Sequence, residues 1–207
     1  MYLSHFIDFN TPCYGGKSDL IKIMSLSSIK NGDTSNSVQI SISSHVGTHI
    51  DFPRHFDDNG KTLSDYDSSY WIFNKVGFIE SGVEDFPNML DEIKADIEIL
   101  ILKTNFGKFR GNEEYWTSQP VIPSSYASIL RRKFSNLKVF GFDLISLTSK
   151  LDREEGRKSH ISFLIENDIL VIEDMNLINL KICPDKIIVA PLLISNLDGS
   201  PCTIIAL

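Results

Sequence analysis

Five of the 207 residues are histidines, and three of them fall in one short segment, His45-Val-Gly-Thr-His49-Ile-Asp51-Phe-Pro-Arg-His55. Imidazole nitrogen and carboxylate oxygen are the donor atoms of catalytic zinc sites, where three protein ligands leave a position open for water. A lone histidine more often makes an ordinary hydrogen bond in a loop or core. Four residues of metal-binding type in the pattern H-x-G-T-H-x-D-x-P-x-H reverse that weighting. His45 and His49 are four apart and would share a helix face, but Gly47, Thr48, Ile50 and Pro53 make a regular helix poor here. The alternating pattern just before the segment predicts an extended chain instead. In an extended chain residues two apart point the same way, so the odd-numbered His45, His49, Asp51 and His55 would face one side. Gly47 would leave room for a ligand or a bend.

The segment resembles the signature of the cyclase family that includes bacterial kynurenine formamidase and isatin hydrolase. Residues 45–56 match every fixed position of H-x-G-T-H-x-D-x-P-x-H-F, ending in Phe56. Supporting resemblances lie at Leu3-Ser4, at Phe140-Gly141-Phe142-Asp143 with Ser146, at Val189-Ala190-Pro191-Leu192 and at Asp198-Gly199-Ser200-Pro201. The resemblance implies that His45, His49 and Asp51 bind one divalent ion, that Asp51 bridges to a second, and that His55 transfers the proton. It also implies that His160 and Glu173 complete the site. Zinc is the ion expected, as one or two ions, with manganese as the alternative. The implied fold is a mixed α/β domain with a central β-barrel-like sheet and flanking helices, of the swivelling β/β/α type. The implied assembly is a homodimer or homotetramer, to which the N-terminal residues 1–8 would contribute by reaching a neighbouring subunit.

His160 and Glu173 have a reading of their own. His160 shares a helical stripe with Phe163 and Leu164, and so would face inward. Glu173 ends an apolar strand on the side of Ile169 and Val171. An inward carboxylate requires a partner, because a buried unpaired charge is expensive, and a metal supplies one. The separation of His160 from Glu173 is one residue longer than the family spacing.

The chemistry implied is hydrolysis of an amide-type C–N bond in a small aromatic or cyclic amide. A divalent ion lowers the pKa of bound water towards ~7, and His55 would carry the proton, the role that imidazole side chains commonly take in catalysis. The alternatives are a cyclase or dehydratase using the same site on a small metabolite, and a non-catalytic metabolite binder. Tyr14, in Thr11-Pro12-Cys13-Tyr14-Gly15-Gly16, is the candidate substrate contact, stacking on a ring. Gly15 stands where kynurenine formamidases have the proline of a Trp-Pro-Gly segment.

The elements that must position these residues divide along the chain. Residues 20–27 and 37–44 alternate apolar and polar residues as half-buried strands do, with an Asn31-Gly32 turn signal between them. Dense apolar runs at 97–103, 137–142, 168–173 and 186–194 predict further strands. Tyr126, Ile129, Leu130 and Phe134 recur at helical spacing over 123–134, and a helical stretch carries His160. Asp198-Gly199-Ser200-Pro201 predicts a turn before a last short strand. Early strands followed by strand–helix alternation define a mixed α/β class, and residues 1–207, lacking repeat or linker, are expected to form a single domain.

The net charge of −7 argues against nucleic acid, whose phosphates demand basic patches. The one basic run, Arg131-Arg132-Lys133, predicts a solvated helix face. The three cysteines form no C-x-x-C pair, and with no basic-plus-apolar leader at Met1–Asn10 and no apolar run of ~20 residues the expectation is a cytoplasmic protein away from membranes.

Overall fold

The computed structural model describes the backbone of residues 1–207 and every side chain but that of Ser18. Its strands are β1 (Ile21–Ser27), β2 (Ser37–Ile42), β3 (His49–Asp51), β4 (Ile72–Phe73), β5 (Val76–Glu80), β6 (Ile99–Lys103), β7 (Val139–Phe142), β8 (Leu170–Glu173), β9 (Ile187–Pro191) and β10 (Gly199–Ala206). Three α-helices accompany them, α1 (Glu114–Thr117), α2 (Ser125–Lys133) and α3 (Arg153–Ile161). Eight strands form one sheet in the order β4-β9-β10-β3-β8-β7-β6-β5. Its two edge strands, β4 and β5, are separated in sequence only by Asn74 and Lys75. That short link brings the edges together, and the sheet curls into a nearly closed barrel with few helices around it.

The two halves of the sheet read differently in sequence for a physical reason. β5, β6, β7 and β8 run parallel. Parallel strands require crossover connections, which lay covering segments on their faces. β6, β7 and β8 are accordingly buried at every residue, which is why they appear as unbroken apolar runs. α2 lies on the crossover from β6 to β7, and α3 on the crossover from β7 to β8. α2 packs through Tyr126, Ala127 and Leu130. Its basic C-terminus ties the helix to the segment before β8: the Arg131 guanidinium donates to the carbonyl of Ser135, just past α2, and to those of Asn167 and Asp168.

β3, β10, β9 and β4 make the antiparallel half. β10 spans Gly199–Ala206, longer than the short strand expected, and begins inside the stretch that the sequence predicts as a turn. The N-terminal segment lies along β10 of its own chain: the Leu3 N–H donates to Ile204 O at 2.9 Å, and Tyr2 bridges to Ile205.

β1 and β2 form a separate antiparallel ribbon. The connection between them, residues 28–36, is longer than a tight hairpin, and Gly32 closes one turn of it at φ 95°. The expected half-burial holds only at the base, where Ile21, Ile23 and Ile42 pack around Cys13 and Val46. Met24, Leu26, Val38 and Ile40 are exposed, because the ribbon projects past the layer that covers its base. Among the described residues no helix is long and apolar enough to cross a membrane.

Candidate metal centre

β3 is three residues long, and its register builds the site. His49 pairs directly with Glu173 of β8, and Asp51 pairs with Gly199 of β10. Residues directly opposite share a face, as do residues two apart on one strand. His49, Asp51 and Glu173 therefore stand side by side. Gly199 contributes no side chain opposite Asp51, and the His45 ring occupies that space: a Cβ on Gly199 would lie 2.3 Å from His45 Cε1.

The extended run expected over 45–55 is interrupted twice. Gly47 turns the chain at φ 63°, a conformation that glycine adopts at little cost, and Pro53–His55 form a short 3-10 turn after β3. His45 and His55 thus reach the centre from turns on either side of the strand. The His45 and His55 rings lie 4.0 Å apart, centroid to centroid. Thr48 fastens the turn: its hydroxyl accepts from the His5 N–H and donates to the Asp174 carbonyl, and its own carbonyl accepts from the Cys202 N–H.

His160 arrives from the last turn of α3, stacked on Phe56 at 4.7 Å. The residues after it, Ser162–Glu166, form a π-helical turn. A π turn takes up an extra residue, which accommodates the longer separation from Glu173. His160 Nε2 lies 3.4 Å from Glu173 Oε1 and 3.6 Å from Asp51 Oδ2. His49 Nε2 lies 3.3 Å from Glu173 Oε2 and 3.5 Å from Asp51 Oδ1. Glu173 is oriented by the Leu147 N–H at 2.6 Å and the Ser146 hydroxyl at 3.1 Å.

These four residues fit a cation. His49, Asp51, His160 and Glu173 are each at most 3% exposed. Both imidazoles are within hydrogen-bond distance of a backbone carbonyl through Nδ1, His49 to Gly47 O and His160 to Gly156 O, each at 2.8 Å. Such a bond fixes the tautomer with a lone pair on Nε2, the usual arrangement behind a metal-binding histidine. His49 Nε2 and Asp51 Oδ2 are buried and have no hydrogen-bond partner. A buried acceptor without a partner costs about 1–3 kcal/mol, and a divalent ion would satisfy both atoms. His49, Asp51 and Glu173 offer ligand atoms within 4.8 Å of one another, and so do His45, Asp51 and His55. Asp51 belongs to both groups, the position a bridging carboxylate would hold.

The electrostatics point the same way. Burial alone would lower the His160 imidazole, but Asp51 and Glu173 outweigh it and raise it to about 10. His45 is likewise pushed down by burial and drawn up to about 10 by Asp198 and Asp51. Burial opposes the charge on Asp51, yet the surrounding imidazoles hold it well below the usual carboxylate range. Two carboxylates buried together thus draw positive charge to the centre, as protons on the imidazoles or as a metal.

The sequence assigned no role to four further side chains. Asp198, expected in a turn, accepts at Oδ2 from His45 Nε2 at 2.9 Å and from His55 Nδ1 at 3.2 Å. Only its place in a family-like segment set it apart. Asp174, next to Glu173, is held by Arg110 Nε at 2.9 Å and by the Tyr115 hydroxyl at 2.6 Å, fixing the chain beyond β8. Nothing in the local pattern of Arg110 or Tyr115 signals that role. A cavity of about 250 Å³ opens over the cluster, walled by Pro12, Tyr14, Phe56 and Ile145. The Tyr14 hydroxyl is buried there with no hydrogen-bond partner.

A nearly closed mixed barrel that gathers imidazoles and carboxylates at one end of a short central strand defines a metal-site class of α/β protein. The Cyclase family model matches residues 1–149, and the chain belongs to that family. A kynurenine formamidase of Bacillus cereus is 28% identical over 97% of this chain and 96% of its own length. An uncharacterized protein of Methanocaldococcus jannaschii is 32% identical over 82% of this chain and 81% of its own. Isatin hydrolase A from Labrenzia aggregata, bound to benzyl benzoate, has the same fold, with a TM-score of 0.80 at 18% identity over all of this chain and 93% of its own.

Proposed function

We propose that this chain is a divalent-metal-dependent hydrolase that cleaves the amide-type C–N bond of a small aromatic or cyclic amide. The observation that carries the proposal is the buried donor cluster, in which His49 Nε2 and Asp51 Oδ2 face like donor atoms but have no hydrogen-bond partner. The family and the kynurenine formamidase relatives supply the reaction type.

In this reading His45, His49 and Asp51 would hold one ion, and Asp51, His160 and Glu173 would hold a second. Zinc suits the nitrogen-rich donor set, and manganese is the alternative. A metal held there would supply a Lewis acid, lowering the pKa of water towards neutrality and offering positive charge to the substrate oxygen. His55 lines the same cavity. It takes the proton from the attacking water and returns it to the departing nitrogen, so that amide and water become carboxylic acid and amine. The cavity, at about 250 Å³, falls below the volumes of pockets for drug-sized ligands. Phe56, Pro12 and Ile145 give it apolar walls for a flat ring, and the Tyr14 hydroxyl offers that ring a hydrogen bond.

We propose further that the chain assembles with copies of itself. Support comes from the exposed Met24, Leu26, Val38 and Ile40 on a two-stranded ribbon, an element marginal on its own in water.

The test is a panel of N-formylarylamines, cyclic imides and lactones offered to metal-loaded protein, with products resolved by chromatography. Hydrolysis of a formylarylamine or a cyclic imide is expected. Turnover of lactones alone, or of nothing in the panel, would overturn the assignment.

A further inference from the structure

Asp198 lies outside the His45–His55 segment, at the end of the loop that leads into β10. Its backbone is fixed, because its carbonyl accepts from the Phe52 N–H at 2.9 Å and the next residue, Gly199, is already paired with Asp51. Its side chain is steadied by the Ser44 hydroxyl, which donates to Oδ1 at 3.2 Å. The other oxygen, Oδ2, is 3.2 Å from His55 Nδ1. Among the described residues no other carboxylate makes a hydrogen bond to His55. His55 Nε2 makes none at all, and the ring lines the cavity over the metal donors.

A histidine that moves a proton at one nitrogen is effective only when the other nitrogen is committed. A carboxylate accepting from Nδ1–H keeps the ring in one tautomer and one orientation, and it favours the cation that forms when Nε2 takes up a proton. We propose that Asp198 is the positioning residue of His55, holding Nδ1 protonated so that Nε2 faces the cavity as the proton acceptor. This rests on the assignment of His55 as the proton carrier in the hydrolase reading above. The fixed backbone of Asp198 and its contact with His55 form one continuous support. Phe52, the residue immediately after the metal-binding strand, anchors Asp198, and Asp198 anchors the histidine three residues further on.

The same Asp198 oxygen also lies 2.9 Å from His45 Nε2. The test therefore separates positioning of His55 from support of a ligand. Asp198→Ala and Asp198→Asn are prepared in zinc-loaded form beside the wild type. Metal content, kcat and KM on the best substrate of the panel, and the tautomer of His55 by nitrogen-15 NMR are measured for each.

The proposal predicts a kcat lower by about 10- to 100-fold, as for other groups that orient an active residue, with metal content unchanged and KM moved far less than kcat. It also predicts that His55 in the wild type carries its proton on Nδ1 and that Asp198→Ala loses that preference. Wild-type kcat in both variants would overturn it, and so would loss of activity in proportion to loss of metal. The tautomer measurement needs no substrate. If the wild type cleaves nothing in the panel, the hydrolase reading fails, while an Nδ1–H tautomer that depends on Asp198 still decides whether the carboxylate positions the ring.

Discussion

Replacing Gly199 with alanine places a methyl group where the His45 ring now lies. The added Cβ would sit 2.3 Å from His45 Cε1, 2.8 Å from Nδ1 and 2.9 Å from Nε2. Carbon–carbon contacts are comfortable from roughly 3.5 Å outward, so the ring must retreat by roughly 1.2 Å or β10 must move. β10 has little freedom, because Gly199, Ser200 and Pro201 pair with β3 on one side and Cys202–Ala206 pair with β9 on the other. The ring yields more readily, since its side chain is 21% exposed, but yielding breaks its 2.8 Å contact with Asp51. Overpacking of this kind costs about 1–3 kcal/mol of stability, and a displacement near 1 Å in a catalytic group costs about 10²-fold in rate. Thermal unfolding, zinc titration and turnover of Gly199→Ala would be compared with the wild type. The expected result is a folded protein with modestly lower Tm, weakened zinc binding and turnover reduced by about two orders of magnitude. Wild-type zinc affinity together with wild-type turnover would refute the claim that the glycine opposite Asp51 makes room for His45 as a ligand.

Other outcomes follow from the same geometry. His55→Ala should lose about 10²–10⁴ in kcat with metal content unaltered, and full turnover in that variant would remove His55 from the mechanism. Tyr14→Phe should raise KM about 2- to 10-fold, the worth of one hydrogen bond, while leaving metal content alone; an unchanged KM would count against the Tyr14 contact. In metal-free protein His45 and His160 are raised from the usual 6.5 to about 10. Their contribution to stability is therefore complete below pH 6.5 and fades as pH rises through about 10. Metal requires the neutral imidazoles, so zinc loading at pH 8 should release protons, and zinc affinity should rise with pH across that window. Calorimetric titration in two buffers of different ionisation enthalpy measures the release, and none at pH 8 would contradict the assignment.

Much of the architecture was legible because it rests on local pattern. The apolar runs of β6, β7 and β8 announced strands, and the stripe through Tyr126 and Leu130 announced α2. The spacing of His45, His49, Asp51 and His55 announced one cluster, and the structure brings these four together with His160 and Glu173. What could not be read depends on pairings between distant segments. The Asp198-Gly199-Ser200-Pro201 stretch has turn composition, yet alignment of β10 beside β3 makes Gly199 a strand residue and Asp198 a neighbour of two histidines. The extended reading of residues 45–55 failed at Gly47 and at Pro53, where glycine and proline geometry overrode the alternation. β1 and β2 carry the alternation of half-buried strands yet are largely exposed, because whether an apolar face is covered depends on what packs against it. Arg110 and Tyr115 reach Asp174 across about 60 positions of sequence, a distance over which composition carries no register.

The most direct test of the account is metal dependence itself. Purified protein would be analysed for metal, stripped with a chelator, assayed on the best substrate of the panel, and assayed again after zinc or manganese is restored. The account predicts one or two divalent ions per chain, turnover lost on stripping and recovered on reloading. Protein shown by analysis to be metal-free that still turns over at the full rate would contradict it.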